Sequence, residues 1–283
     1  MPSRPVDLLA DATCLLAEAG IRTPRVDAEL LLADLLRITR AQLLTVGPVA
    51  DPGADEYRHR ITRRAAREPL QYITGRAPFR HIELAVGPGV FVPRPETELL
   101  VDAVLAPLRA QNTPLVVDLC AGSGALALAV ADEVPDAQVI AVESASAALR
   151  WLAQNAEGTG VRVVVADVTD PGLLTELHGR AAVVLANPPY VPSGTKVDPE
   201  VLADPAEAVF AGPEGLAVLP AVIARAASLL SDGGVFAVEH DDSQGESVPA
   251  LLTADGRWLE VSDHPDLTGR PRFTTARRFV ATR

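Results

Sequence analysis

The chain has 283 residues, 48% of them hydrophobic and 22% charged, which is long enough for a sizeable core in two parts and too apolar for disorder. A net charge of −12 argues against broad electrostatic binding of nucleic acid, because that mode needs a basic face to neutralise phosphates. Asp7 and Asp11 interrupt the amino terminus where a secretory leader needs an unbroken apolar core, so a cytoplasmic protein with no membrane association is expected.

The first seventy residues read as helices. One runs over residues 6–19 and ends at Gly20, a residue suited to a left-handed cap. Another repeats apolar residues at helical spacing over 27–36, and a third covers 54–67 and stops before Pro69. This predicts a small helical bundle over residues 1–70 with no catalytic constellation, so recognition or support is its expected task. Arg58, Arg60, Arg63, Arg64 and Arg67 lie along the third helix and read as a solvated face that could also meet an acidic partner. Cys14 falls in the first helix and Cys120 in a later loop. Their spacing suits neither zinc nor a disulfide, and buried thiols are expected.

Residues 71–95 change character. Phe79-Arg80-His81-Ile82-Glu83-Leu84 alternates like a strand, and Gly87-Pro88-Gly89 precedes a second apolar run at Val90-Phe91-Val92, which together predict a β-hairpin linker. His81 falls on the exposed phase and is assigned no catalysis. Pro95 stands ahead of Glu96-Thr97-Glu98, whose acids suit the first turn of a helix to about residue 110.

From residue 115 the pattern becomes strand, loop, helix. Leu115-Val116-Val117-Asp118-Leu119 runs into Cys120-Ala121-Gly122-Ser123-Gly124, followed by an alanine- and leucine-rich helix. Gly122 and Gly124 let the backbone turn sharply and approach a ligand, and the following helix start favours negative charge there. A second strand over 138–142 ends in Glu143, placed to accept from ribose hydroxyls. A dinucleotide enzyme would satisfy this much equally well, but the loop lacks the third glycine of that fingerprint. A third strand over 161–165 ends near Asp167, where an adenine amino group could be read. The apolar run 181–186 reads as a buried strand, and Asn187-Pro188-Pro189-Tyr190 follows it.

That tetrapeptide suits the holding of a planar, weakly nucleophilic nitrogen. Asn187 supplies a carboxamide oxygen as acceptor, the prolines fix the backbone so that the carbonyl of Pro188 can face a donor, and Tyr190 offers a flat face. A long loop over 191–212 follows, of a kind that is often functional. A helix over 216–230 and strands over 235–239, 257–261 and 273–280 complete seven strands. Glu239-His240 resembles a dyad, but neighbouring strand residues face opposite ways, so a structural role is expected.

Residues 115–283 resemble a class I methyltransferase that uses S-adenosylmethionine, and the whole chain resembles the bacterial protein-(glutamine-N5) methyltransferases that modify peptide chain release factors. The resemblance rests on Gln71-Tyr72-Ile73-Thr74-Gly75, Phe91-Val92-Pro93-Arg94-Pro95-Glu96-Thr97-Glu98, the glycine loop, Asn187-Pro188-Pro189-Tyr190, Asp204-Pro205-Ala206-Glu207-Ala208 and Glu239-His240. It implies an α/β fold: a seven-stranded Rossmann-like domain over 96–283, preceded by the helical bundle and the hairpin linker. It also implies S-adenosyl-L-methionine as cofactor, held by Phe91, Arg94, Asp118, Cys120, Ala121, Gly122, Ser123, Gly124, Glu143, Asp167, Val168 and Asn187. Asn187, Pro188, Pro189 and Tyr190 are the implied substrate grip, with Asn187, Pro188 and Tyr190 carrying catalysis. The segment 91–96 is implied to close over the methionine side of the cofactor. Cys120-Ala121 and Val168 depart from the family pattern and bear on cofactor affinity.

The implied reaction is direct methyl transfer to the glutamine side chain of the Gly-Gly-Gln loop of class I release factors, by a monomer with no nucleic-acid partner. A ribosomal-protein glutamine is an alternative substrate. Adenine in nucleic acid is another, because the same tetrapeptide can hold a flipped base.

Overall fold

Apolar side chains four residues apart build the first helices. In the computed structural model, which describes residues 2–279, α1 (Pro5–Glu18) buries Leu8, Ala12 and Leu16, and α2 (Pro24–Leu36) buries Ala28, Leu31 and Leu32. Both start with proline, whose fixed torsion suits a first helical turn. Against them, α3 (Asp51–Ala65) lays Ala54, Tyr57 and Ile61, and the Tyr57 hydroxyl donates to the Ala28 carbonyl at 3.0 Å. The short α4 (Leu70–Thr74) ends at Gly75, which adopts the left-handed conformation.

Arg60, Arg63, Arg64 and Arg67 do not form a solvated face, whereas Arg58 stays exposed and pairs with Asp55 at 2.8 Å. Arg64 is buried and bonds Asp27 at 2.8 Å, Arg60 bonds Asp34 at 2.6 Å, and Arg63 bonds Glu68 at 2.5 Å. Arg64 and Arg67 share the two oxygens of Glu200, at 2.9 and 2.6 Å. A carboxylate stands opposite each guanidinium, so the cluster ties the helices internally instead of presenting free positive charge. Glu200 can take part because the chain forms two compact units, one of Met1–Arg76 with Asp198–Ala203 and the other of Ala77–Val197 with Asp204–Arg283.

The hairpin forms one turn earlier than the alternation suggested. Strand β1 (Arg76–Phe79) pairs with β2 (Ile82–Ala85) around Arg80, a residue at φ 51°, and Val90-Phe91-Val92 belongs to no strand. Asn155 occupies the free edge of β2 by bonding both the N–H and the carbonyl of Ala85, at 2.8 and 3.0 Å. Cys14 also departs from expectation, since it is exposed on α1.

Helix α5 (Glu98–Arg109), entered through a short 3₁₀ turn at Pro95–Thr97, leads into the sheet. The chain then alternates β3 (Leu115–Leu119), α6 (Ala125–Glu133), β4 (Gln138–Glu143), α7 (Ser146–Ala156), β5 (Arg162–Val165) and β6 (Ala181–Ala186). It continues through α8 (Ala206–Val209), α9 (Leu219–Leu229), β7 (Leu230–Glu239), α10 (Ser247–Asp255), β8 (Trp258–Pro265) and β9 (Pro271–Arg278). Val280, the expected end of the last strand, lies outside the described residues.

The seven strands lie in the order β5-β4-β3-β6-β7-β9-β8, parallel except for β9, which runs antiparallel to both its neighbours. Alternate residues feed the two faces. In β6, Val183 and Leu185 join one core cluster while Val184 and Ala186 join the other. All six residues of β6 are buried, as expected of a central parallel strand covered by helices on both sides. The strand order reverses between β3 and β6, so the loops leaving these two strands diverge and open a crevice.

Candidate active site

Register places the site. Leu119, the last residue of β3, lies beside Ala186, the last of β6, and on its other side beside Val142 of β4. The segments beginning at Cys120, Glu143 and Asn187 therefore leave the sheet side by side at the switch point.

The glycine loop turns tightly. Cys120, Gly122 and Gly124 have φ of 63°, 58° and 91°, all left-handed. Gly124 is required sterically, because a Cβ there would sit 2.7 Å from Leu152 and 2.9 Å from Leu128. Gly122 is different: a Cβ would meet no heavy atom within 4 Å, so the backbone there faces open space that a ligand can occupy. Ala121 and Ser123 are buried beneath it. Burial pushes the Cys120 thiol well above its ordinary pKa, and the charge of Glu143 adds to the effect.

Acceptors line this crevice. Glu143 takes the Gly122 amide on Oε2 at 2.8 Å and the Ser144 and Ala145 amides on Oε1 at 2.8 and 2.7 Å. It thus shapes the loop and the start of α7, and keeps one Oε2 lone pair for a ligand hydroxyl. The exposed Asp167 accepts from the Thr169 amide and hydroxyl on Oδ1, both at 2.7 Å, and Val168 beside it is buried. Asp118 accepts from the Ala127 amide at 3.1 Å, while its other oxygen is buried without a partner. Burial, with a smaller contribution from the charge of Glu143, pushes its carboxyl up to about 8. An orphaned buried oxygen, a carboxylate with spare capacity and an open glycine backbone suit a ligand rich in hydrogen-bond donors.

At Asn187 the carboxamide nitrogen donates to Oγ1 of Thr97 at 3.2 Å. Among the described residues, no donor occupies Oδ1. Pro188 is buried and Pro189 half-buried. The Tyr190 hydroxyl is turned inward and donates to Oε1 of Glu239 at 2.8 Å, so the ring is held at its far end. Burial, then the charge of Glu239, keeps this phenol neutral. The Tyr190 carbonyl is fixed separately by the buried Gln244, whose Nε2 donates to it at 3.0 Å.

Arg94 pairs with Asp204 at 2.5 Å and stacks over Phe91, with its guanidinium carbon 4.9 Å from the ring centre. Asp204 also accepts from the Val92 amide at 3.1 Å, so the segment 91–94 is anchored.

Thr97 and Glu239 fall in motifs that give neither of them a site role, and Gln244 and Gly215 fall in none. Thr97 was visible in the motif ahead of α5, but nothing in the sequence showed that it would meet Asn187, 90 residues away. Glu239 and His240 do face apart, as strand geometry requires. Glu239 enters the site, whereas His240 lies buried against Thr274 and Asp263, with Nε2 3.0 Å from each. No cluster of His, Cys, Asp and Glu able to hold a metal occurs among the described residues.

This fold and the crevice at its switch point define a Rossmann-like methyltransferase domain. The methyltransferase small domain family matches residues 82–208, and the PrmC N-terminal domain family matches residues 7–75. A release factor glutamine methyltransferase from Mycolicibacterium smegmatis is 49% identical over 95% of this chain and 96% of its own. The chain belongs to the release factor glutamine methyltransferase family. A 4-amino-L-phenylalanine/4-methylamino-L-phenylalanine methyltransferase from Streptomyces pristinaespiralis is 42% identical over 91% of this chain and 90% of its own. In fold, the T. thermophilus 16S rRNA N2 G1207 methyltransferase (RsmC), solved with AdoMet and guanosine, superposes with a TM-score of 0.51 and 23% identity over 72% of this chain and 49% of that one. No helix among the described residues is long and apolar enough to cross a membrane.

Proposed function

We propose that this protein transfers the methyl group of S-adenosyl-L-methionine to the side-chain amide nitrogen of the glutamine in the Gly-Gly-Gln loop of class I peptide chain release factors, acting in the cytoplasm where those factors work. One observation carries the choice of an amide nitrogen. The N–H₂ of Asn187 is committed to Thr97, which leaves its oxygen as an acceptor at the carboxyl end of β6. An acceptor is what a substrate N–H₂ needs.

When bound, S-adenosyl-L-methionine supplies an electrophilic methyl group on a sulfonium. Glu143, Asp167 and the residues 118–124 are the groups that would hold it, together with the anchored segment at Phe91 and Arg94. A carboxamide nitrogen is a weak nucleophile because its lone pair is delocalised into the carbonyl. Alignment must therefore do most of the work, and an oriented acceptor is the means. Oδ1 of Asn187 and the Pro188 carbonyl would each take one amide proton. As the nitrogen becomes cationic these hydrogen bonds strengthen, so they stabilise the transition state more than the ground state. Tyr190 would pack against the amide plane, steadied by Glu239.

A glutamine of a ribosomal protein and a free aromatic amine would use the same acceptors. Adenine in nucleic acid fits less well with a net charge of −12. The experiment is Asn187→Ala, assayed on a release factor and by calorimetric titration of the cofactor. Methyl transfer should fall about 100- to 1,000-fold while cofactor affinity changes little. Near wild-type transfer by the variant would remove Asn187 from the mechanism.

A further inference from the structure

Asn187 accepts a substrate proton only if its carboxamide is turned one way, and the two ends of that group have nearly the same shape. What selects the orientation is the partner, since the oxygen and nitrogen of an asparagine are told apart by their hydrogen bonds. The partner here is a hydroxyl, and Thr97 Oγ1 can either donate or accept. If Thr97 pointed its own proton at Asn187, the carboxamide would turn over and present N–H₂ to the crevice. An acceptor site would then become a donor site.

Behind Thr97 lies Glu239, 1% exposed at the end of β7. Its Oε1 already accepts from Tyr190 at 2.8 Å. The Thr97 hydroxyl is a second side-chain donor that favours the ionised carboxyl, and its influence exceeds that of Tyr190. Oε2 of Glu239 has no partner of ordinary hydrogen-bond geometry among the described residues. A buried carboxylate oxygen without a donor attracts the nearest mobile proton, and that proton is the one on Thr97.

We infer that Glu239 is a positioning residue for methyl transfer: by drawing the Thr97 hydroxyl proton toward itself, it makes Thr97 an acceptor and so locks Asn187 with its oxygen toward the substrate amide. The inference rests on the acceptor role given to Asn187 above. The chain of bonds runs in one direction, from Asn187 N–H to Thr97, from Thr97 O–H toward Glu239, with Tyr190 O–H arriving at the same carboxyl from the other side. Both ends of the substrate grip thus answer to one buried charge.

The lock depends on Glu239 being ionised. Charged and titratable groups that face it are Tyr190, Arg272 and Glu96; Arg272 favours the charge, and Glu96 and burial oppose it. Burial is the largest influence, so the carboxyl takes up a proton at a higher pH than an ordinary glutamate. Once it is protonated, Thr97 loses its reason to donate there, and Asn187 is released to turn over.

Three variants separate this lock from mere packing. Thr97→Val keeps the shape and removes the hydroxyl, and Thr97→Ser keeps the hydroxyl. In Glu239→Gln the side-chain oxygen can still accept from Tyr190, which turns the new N–H₂ onto Thr97 and the Thr97 proton onto Asn187. Transfer to a release factor should fall about 10- to 100-fold in kcat for Thr97→Val and Glu239→Gln, with the Kd for S-adenosyl-L-methionine unchanged. Thr97→Ser should recover most of what Thr97→Val loses. The wild-type kcat should show an acid limb that Glu239→Gln lacks.

A readout independent of turnover is the side-chain amide resonance of Asn187, assigned through its disappearance in Asn187→Ala. It should move with pH in the wild type along that same limb and stay still in Glu239→Gln. Variants with kcat within about twofold of wild type, or an Asn187 resonance that ignores pH in the wild type, would overturn the inference. If the wild type transfers no methyl to a release factor, the reading of its substrate fails, and the resonance still decides the lock.

Discussion

The guanidinium of Arg94 and the carboxylate of Asp204 meet at 2.5 Å although 110 residues separate them. Asp204 is fully buried on its side chain and also takes the Val92 amide. It thereby joins the segment ahead of α5 to the one that follows the Asn187 motif. Replacing Asp204 by Ala leaves a buried N–H unpaired and a half-buried guanidinium without its counter-ion. Urea denaturation should show a loss of about 2–3 kcal/mol, below the full value of a wholly buried pair because Arg94 keeps some solvent. Arg94→Ala should cost less.

Gly215 supports the substrate grip from behind. A Cβ at this position would stand 2.0 Å from the Tyr190 carbonyl oxygen, and Gly215 also has a left-handed φ of 71°. Because the contact is with backbone, Gly215→Ala must push residues 189–190 forward. Transfer should drop about 100-fold, as misplacement near 1 Å does elsewhere. Cofactor affinity, measured by calorimetry, should hold.

Much of this could be read from the chain, and what escaped has a common cause. The strands, their carboxyl-end residues and the glycine loop follow from apolar runs and turn residues that are local in sequence. Thr97, Glu239, Gln244 and Gly215 matter through contacts made 49 to 90 residues away, or across a backbone approach that no periodicity records. The pairing of Arg60, Arg64 and Arg67 is hidden from the sequence for the same reason. Helical spacing places them on the helix, but only the fold brings Asp27, Asp34 and Glu200 against them. The hairpin shifted because Arg80 tolerates a positive φ that its residue type does not advertise.

The two thiols should react very differently. Cys14 is exposed, whereas burial holds the Cys120 thiol in its protonated, inert form. Cys120 is half-buried, so a disulfide reagent at about pH 8 should modify Cys14 within minutes and Cys120 far more slowly, as peptide mass spectrometry would show. Cys120→Gly should also stabilise the protein by about 1 kcal/mol by relieving a left-handed residue at φ 63°.

Asp118 sets a pH dependence of opposite sign to most carboxylates. Its folded pKa of about 8 exceeds the ordinary 3.8, so the native state holds a proton that the unfolded chain releases. The stability this gives is complete below 3.8 and is lost as the pH rises through about 8. Asp118→Asn should therefore gain on the wild type in urea denaturation as pH rises from about 5 to 9. An Asp118→Asn difference that is flat across this range would show that the carboxyl is ionised throughout.

Everything in the crevice at Asn187 turns on which nitrogen receives the methyl group. The most direct test incubates the protein with S-adenosyl-L-methionine and a class I release factor, then locates the added methyl by fragment mass spectrometry, with a Gln→Ala factor in the Gly-Gly-Gln loop alongside. One methyl group is expected on the side-chain amide of that glutamine and none on the Gln→Ala factor. A methyl group elsewhere on the factor, or an unmodified factor beside methylation of a free aromatic amine, would contradict it.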